Sequence, residues 1–296
     1  MDMNLFAVIL NSTIRSTTPV LLAALGSTLC NRTGVFNIAL EGQMLIGCFV
    51  SILVNYYTGS VLLATMAGVM GGMVVGGIVA LFQVKYEAAD MVVGTSVNLL
   101  VSGITSIFLF IIFGVKGQFS SPQLIPMTRV RLPLISSVPV VNRVFENLTC
   151  VDYLSWAIAV VMFVYFFRTV SGFRLISVGV NREAAESLGV KAIRTRVTAV
   201  ILSGALCGLG GTALSMGQVT LFTENMTSGR GFIAMAASSM GQHHPLYVIL
   251  SSFFFGAAQA SGVAMQNRIP SQLTMAVPYI ATIVALAIFS RKRKKI

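Results

Sequence analysis

Apolar stretches of bilayer-spanning length, almost free of charge, recur along this chain and constrain its fold more than any other feature. A bilayer core needs about 20 apolar residues per helix, with a range of about 17 to 25. The candidates are Thr17–Cys30, Phe36–Tyr57, Ser60–Phe82, Met91–Val115, Leu154–Phe167, Val197–Met216, Gly231–Met240, Leu246–Met265 and Leu273–Phe289. Gly231–Met240 is short enough for a half-helix or re-entrant piece. Leu5–Ile14 reads as another, or as part of a first span broken near Pro19. Composition agrees: 55% of the 296 residues are hydrophobic and only 10% are charged, against roughly 25% charged in soluble domains. So few charges exclude a soluble globular enzyme, and so many apolar residues exclude disorder. The unbroken runs lack the alternation of a membrane β-barrel. The expected fold is all-α, a polytopic integral membrane helical bundle of 8–10 membrane segments in one domain over 1–296.

The formal charge is +11, from 20 basic and 9 acidic residues. Its placement matters more than its sum. Arg168, Arg174, Arg182, Lys191, Arg194 and Arg196 fall in one internal segment, and Arg291, Lys292, Arg293, Lys294 and Lys295 in the tail; together they hold 11 of the 20 cations. Basic clusters beside spans mark the cytoplasmic side. That rule puts 168–196 and 290–296 inside, and with them the C-terminus and the Lys85–Asp90 turn. It puts the Pro-containing 116–153 outside as a loop. No aromatic residues interleave with these cations, which argues against a nucleic-acid partner. The first residues lack a basic n-region, so no cleavable signal is expected.

Catalytic constellations are missing. No GxxxxGK[ST], HExxH or Cys/His metal spacing occurs. Cys30, Cys48, Cys150 and Cys207 form no CxxC pair and read as free thiols. Gly68, Gly72 and Gly76, and again Gly204 and Gly208, stand four apart. Such spacing lets helix backbones approach closely, inside one bundle or at a dimer face. Glu41 is the one acid inside an apolar run and should face a cavity or a partner. It could line the path, cap a broken helix, or pair with Arg15 or Arg32. Asn37 and Gln43 flank it, and Ser96, Asn98 and Gln218 are further polar groups in apolar surroundings. These six are the candidate translocation-path residues, suited to a neutral polar solute. Gly34–Gly47 and Gly231–Gly241 start on opposite sides of this topology, as an inverted repeat would.

In the internal basic segment, Asn181-Arg-Glu-Ala-Ala-Glu-Ser-Leu-Gly189 reads as a short helix. Asn181 is its N-cap, Glu183 lies in its first turn and Gly189 is its stop. Ala184, Ala185 and Leu188 are expected on one shallow face, fit for a groove on a partner. An amphipathic helix lying on the membrane is the other reading, but it would carry larger apolar anchors.

Gly179-Val-Asn-Arg-Glu-Ala-Ala-Glu-Ser-Leu-Gly189 resembles the coupling segment of ABC importer permeases of the ribose, nucleoside and branched-chain amino acid type. Asn31-Arg-Thr-Gly-Val-Phe-Asn-Ile-Ala-Leu-Glu-Gly-Gln-Met44 is most similar to the nucleoside permeases fed by a basic membrane lipoprotein. Gly229-Arg-Gly-Phe-Ile-Ala-Met-Ala236 and Met240-Gly-Gln-His-His-Pro245 complete the resemblance, which covers nearly the whole chain. Gln242-His243-His244 departs from it, standing where Gly-Gly is expected in what reads as an inside turn. The His pair there could sense pH or bind metal, though an ordinary turn suffices.

The resemblance implies a permease of the bacterial plasma membrane that imports nucleosides and does no covalent chemistry. Asn181, Arg182, Glu183, Ala184, Ala185, Glu186, Leu188 and Gly189 would couple it to ABC ATPase subunits. Those subunits would use ATP and Mg, and this chain itself would bind no cofactor. A second, longer permease and an extracellular substrate-binding lipoprotein would complete the assembly. The alternatives are the same machine for a ribose-like sugar or a branched-chain amino acid, an ion-coupled secondary transporter with Glu41 as proton site, and a membrane-embedded enzyme. The last lacks any cluster of catalytic groups.

Overall fold

The structure is a computed structural model, and it describes residues 3–130, 145–146 and 148–265. Ten helices are present among them: α1 (Met3–Asn31), α2 (Leu40–Thr58), α3 (Val61–Ala80), α4 (Asp90–Phe113), α5 (Cys150–Arg168), α6 (Val170–Val180), α7 (Arg182–Ser187), α8 (Ala192–Thr212), α9 (Arg230–Met240) and α10 (Pro245–Met265). Helices α3 and α8 run on through π-helical turns at Leu81–Lys85 and Ala213–Val219. The expected span at Leu273–Phe289 and the basic tail lie outside the described residues.

Among the described residues five helical stretches are long and apolar enough to cross a membrane: Val61–Lys85, Asp90–Phe113, Cys150–Arg168, Ala192–Val219 and Pro245–Val263. In all but Ala192–Val219 only a minority of the residues is buried, as expected where lipid is the partner of the outer faces. Helices α1 and α2 lie inside this ring. Every residue from Thr17 to Cys30 is buried, and α2 buries Gln43, Ser51 and Asn55 along with its apolar residues. Ser51 shares a hydrogen bond with Ser215 of the stretch that continues α8, and Gln43 accepts one from Asn37, contacts that make polar side chains tolerable there. Helix α1 is continuous across Pro19, contrary to the expected break. Pro19 backs onto Gly210 of α8.

The glycine spacing packs this one chain internally. Gly72 and Gly76 of α3 lie against Gly204 of α8, and Gly68 against Gly208. A Cβ at Gly72 would overlap the Gly204 carbonyl, and one at Gly47 of α2 would fall 2.6 Å from the Gly208 oxygen. Three helices therefore meet backbone to backbone, which maximises dispersion contacts where no hydrophobic driving force operates.

The chain has two distinct ends. At one, Arg32, Lys85, Arg182 and Arg196 gather around the α1–α2, α3–α4 and α6–α8 connections. At the other, Gln118–Phe119 pairs antiparallel with Phe222–Thr223. Phe222 packs edge-on against Phe49, and Phe119 stacks on Phe113. Asn55 clamps the backbone of Ile125 there by donating to its carbonyl (2.8 Å) and accepting its N–H (3.1 Å). Asp152 closes a capping box on Thr149 and accepts a hydrogen bond from Thr18 of α1.

Candidate translocation path and coupling site

Helix α9 is only 11 residues long, about 16 Å at 1.5 Å per residue. It ends in the turn 241–244 at the basic end, where Arg32 Nε donates to the His243 carbonyl (2.8 Å). Its N-terminus therefore lies about halfway through a core of about 30 Å. Bare helix N–H groups at that depth need an acceptor. Glu41 supplies it: one carboxylate oxygen accepts from Gly229 N and the other from Gly231 N, both at 2.7 Å. Gly229 is left-handed (φ +77°), and a Cβ at Gly231 would fall 2.5 Å from Glu41 N, so both positions require glycine. Glu41 also sits in the first turn of α2. One carboxylate thus serves two helix N-termini, each a locus of positive dipole. Of the expected roles for Glu41, the structure shows the helix cap, made with backbone N–H groups and not with Arg15 or Arg32.

The other expected path residues mostly hold helices together. Asn37 Nδ2 donates to Gln43 Oε1 (3.2 Å) and Ser203 Oγ (3.3 Å) in a fully buried knot joining α2 to α8. Asn98 accepts from Gly42 N (2.8 Å) and donates to Ile38 O (3.0 Å), pinning α4 to the start of α2. Gln218 donates to Arg15 O (2.7 Å), and Arg15 donates back to Gly217 O (3.3 Å). Of the six, Ser96 is exposed, on α4, and Glu41 is half-buried with polar neighbours open beside it.

Those neighbours went unrecognised as a group in the sequence. After Phe222–Thr223 the chain dips inward along α4, and Ser102 Oγ donates to Asn225 Oδ1 (2.7 Å). Ser102 lies 12 residues into α4, about 18 Å from its basic end, so the turn at Glu224–Asn225 reaches membrane depth. Asn225 and Ser228 are exposed, Arg230 and Glu41 half-exposed. Asn225 (φ +53°) and Ser228 (φ +46°) are left-handed without being glycine, strain that clusters at functional sites. Together they form an open polar seam between α4 and the start of α9, on a face where lipid would demand apolar side chains. Arg230, preceded by Asn225, Ser228 and Gly229, was the available signal.

At the basic end, Asn181 Oδ1 accepts from Ala184 N (3.0 Å) and caps α7 as expected. The expected common face of Ala184, Ala185 and Leu188 does not form. Ala185 turns inward and is buried against Val178 and Ala192, whereas Leu188 is 83% exposed. A six-residue helix held at both ends must put one side on its own chain, and the smallest side chain allows the closest approach. Ala184, Glu183 and Glu186 face outward, Gly189 is left-handed and ends the helix, and Arg182 bridges Glu87 of the α3–α4 turn (2.8 Å) and Glu186 (3.3 Å). Hydrogen bonding from Arg182 holds the Glu87 carboxyl below its usual range. Behind α7, a Cβ at Gly179 would overlap the Arg32 carbonyl, and Arg196 Nε donates to Thr33 O (3.1 Å). The 179–189 segment thus abuts the connection that leads into α2 and Glu41.

The 241–244 turn uses Gln242 (φ +51°) and His243 (φ +54°) in the left-handed conformation, which explains why glycines suit these positions. His243 Nδ1 pairs with Ser238 Oγ (3.0 Å). His244 stacks on Phe167 and lies against Tyr247. Burial, and then the nearby Arg32 charge, push its pKa below the ordinary imidazole range, so it is neutral at pH 7. Among the described residues no group of His, Cys, Asp or Glu is placed to hold a metal.

A polytopic helical bundle with a half-helix at membrane depth and a capped helix projecting from a basic end is the architecture of a membrane permease. The family model of the permease component of branched-chain amino acid transport systems matches residues 9–286, and the chain belongs to that family. It is similar to the guanosine ABC transporter permease protein NupQ of Bacillus subtilis, 31% identical with 96% of this chain and 92% of the relative covered. It is likewise 31% identical to the nucleoside ABC transporter permease protein NupC of Lactococcus lactis, over 98% of this chain and 94% of that one. The glucose ABC transporter permease protein TsgB13 of Haloferax volcanii is 26% identical, over 84% and 67%. No solved structure matches.

Proposed function

We propose that this chain is a membrane subunit of an ATP-driven importer that passes nucleosides across the plasma membrane. The observation that carries the reading is its near full-length likeness to two permeases named for guanosine and nucleosides. The polar seam agrees with it. Ser102, Asn225, Ser228 and Glu41 offer hydroxyl, amide and carboxylate groups that can exchange hydrogen bonds with ribose hydroxyls and base edges. The basic end faces the cytoplasm, and there α7 presents Ala184, Glu183, Glu186 and Leu188 to an ATPase subunit that binds ATP and Mg. The opposite end, with its paired strands, receives the solute from an external binding lipoprotein. A second permease, different and longer, closes the seam into a path. Force on α7 reaches the α3–α4 turn through Arg182–Glu87 and the start of α2 through Gly179.

Uptake of labelled uridine, guanosine, glucose and leucine, in cells with and without the chain and before and after ATP depletion, tests this. Loss of nucleoside uptake on deletion and on depletion is expected. Loss of glucose uptake alone would move the substrate to the sugar reading that the Haloferax relative favours. Uptake that survives ATP depletion would overturn the ATP-driven reading.

A further inference from the structure

A cavity of about 440 Å³ opens between α6 and the start of α8 at the basic end, away from the polar seam. Arg174, Lys191 and Arg194 line it with Thr195 and Thr198, while Leu175 and Leu202 form its deeper apolar wall. Among the described residues no acid lines it, and none of the three cations is ion-paired. Lys191 stands at the N-cap of α8 without a side-chain acceptor, so the positive end of a 21-residue helix adds to the field. Three cations lining one cavity without a counter-charge, beside a helix N-terminus, make a site for an anion. The surroundings say which kind. Helix α6 exposes Val170 (68%), Phe173 (56%) and Val180 (82%) on one face, the pattern of a helix lying in the membrane interface. Arg174 follows Phe173 at the edge of that face. The mouth of the cavity therefore opens at headgroup level, and its apolar wall runs toward the acyl chains along Leu202.

We propose that this cavity binds the headgroup of an anionic phospholipid, with Arg174, Lys191 and Arg194 on the phosphate and the α8 wall on the first part of an acyl chain. The inference rests on the membrane reading and is independent of the solute transported. Native mass spectrometry of the full-length chain, released from detergent after titration with phosphatidylglycerol or phosphatidylcholine, tests it. One saturable phosphatidylglycerol per chain is expected, with no competition from phosphatidylcholine. Arg174→Gln, Lys191→Gln and Arg194→Gln together should weaken it about 100-fold, from about fivefold per cation. Should the triple variant fail to fold, each single variant is expected to show its fivefold loss. Thr198→Trp, which fills the cavity and keeps every charge, should also block binding. Undiminished binding in the charge variants, or normal binding in Thr198→Trp, would overturn the site. Displacement of the lipid by equal concentrations of inorganic phosphate would assign it to a free anion and overturn the lipid.

Discussion

At Glu41 a single carboxylate closes two helix ends. Charge-assisted hydrogen bonds and an N-cap are each worth about 1–3 kcal/mol, so Glu41→Ala should destabilise the chain by about 2 kcal/mol or more, read as a lower unfolding temperature in detergent. Glu41→Gln keeps one acceptor and should fall between. Nucleoside uptake should drop in both; unchanged stability in Glu41→Ala would show that the cap is dispensable. His244 ties stability to pH. Its pKa is depressed in the folded chain, so the unfolded chain binds the proton more readily. Stability should be unaffected well above the ordinary imidazole value of about 6.5 and should fall as acid drives the pH through it toward the folded value. His244→Phe should remove that part of the slope in unfolding measured from pH 8 to 5.

Between elements, the packing of α7 separates two surfaces that the sequence merged. Ala185→Arg should detach α7 from α6 and α8, because a guanidinium cannot enter the space between Val178 and Ala192. Uptake should vanish along with protease resistance of the 170–196 segment. Leu188→Arg alters only an exposed side chain and should leave that resistance intact while weakening co-purification of an ATPase subunit. The same outcome for both variants would mean that α7 has a single face after all. The glycine seam makes a harsher demand: Gly72→Leu must push α3 away from α8 and should cost about 3 kcal/mol, visible as loss of the folded chain from membranes. What could be read from the residues divides along the same line. Outer helices α3, α4, α5 and α10 announce themselves through unbroken apolar runs, because lipid imposes one requirement all along them. The partners of polar residues do not, because each lies far away in sequence: Asn37 meets Ser203, 166 residues on, and Glu41 meets Gly229, 188 residues on. The motif around Asn181 was legible down to its cap, yet the direction of Ala185 depends on α6 and α8 and not on α7 alone.

At the scale of the whole molecule, the described residues form lipid-facing helices around two polar-bearing ones, α1 and α2. Helix α8 is the element that completes the centre, since it gives Ser203 to Asn37 and Gly204 and Gly208 to α3 and α2. That position has a consequence for how the protein is made. Helices α1–α3 leave the ribosome first, but their permanent neighbour follows more than a hundred residues later, and until then the Asn37–Gln43 knot lacks Ser203 and the glycine face of α3 lacks Gly204 and Gly208. The early segments must wait beside the insertion machinery rather than settle one by one into lipid. A nascent chain halted after Lys191 should remain cross-linkable to that machinery and be degraded on release. One halted after Val219 should already be resistant.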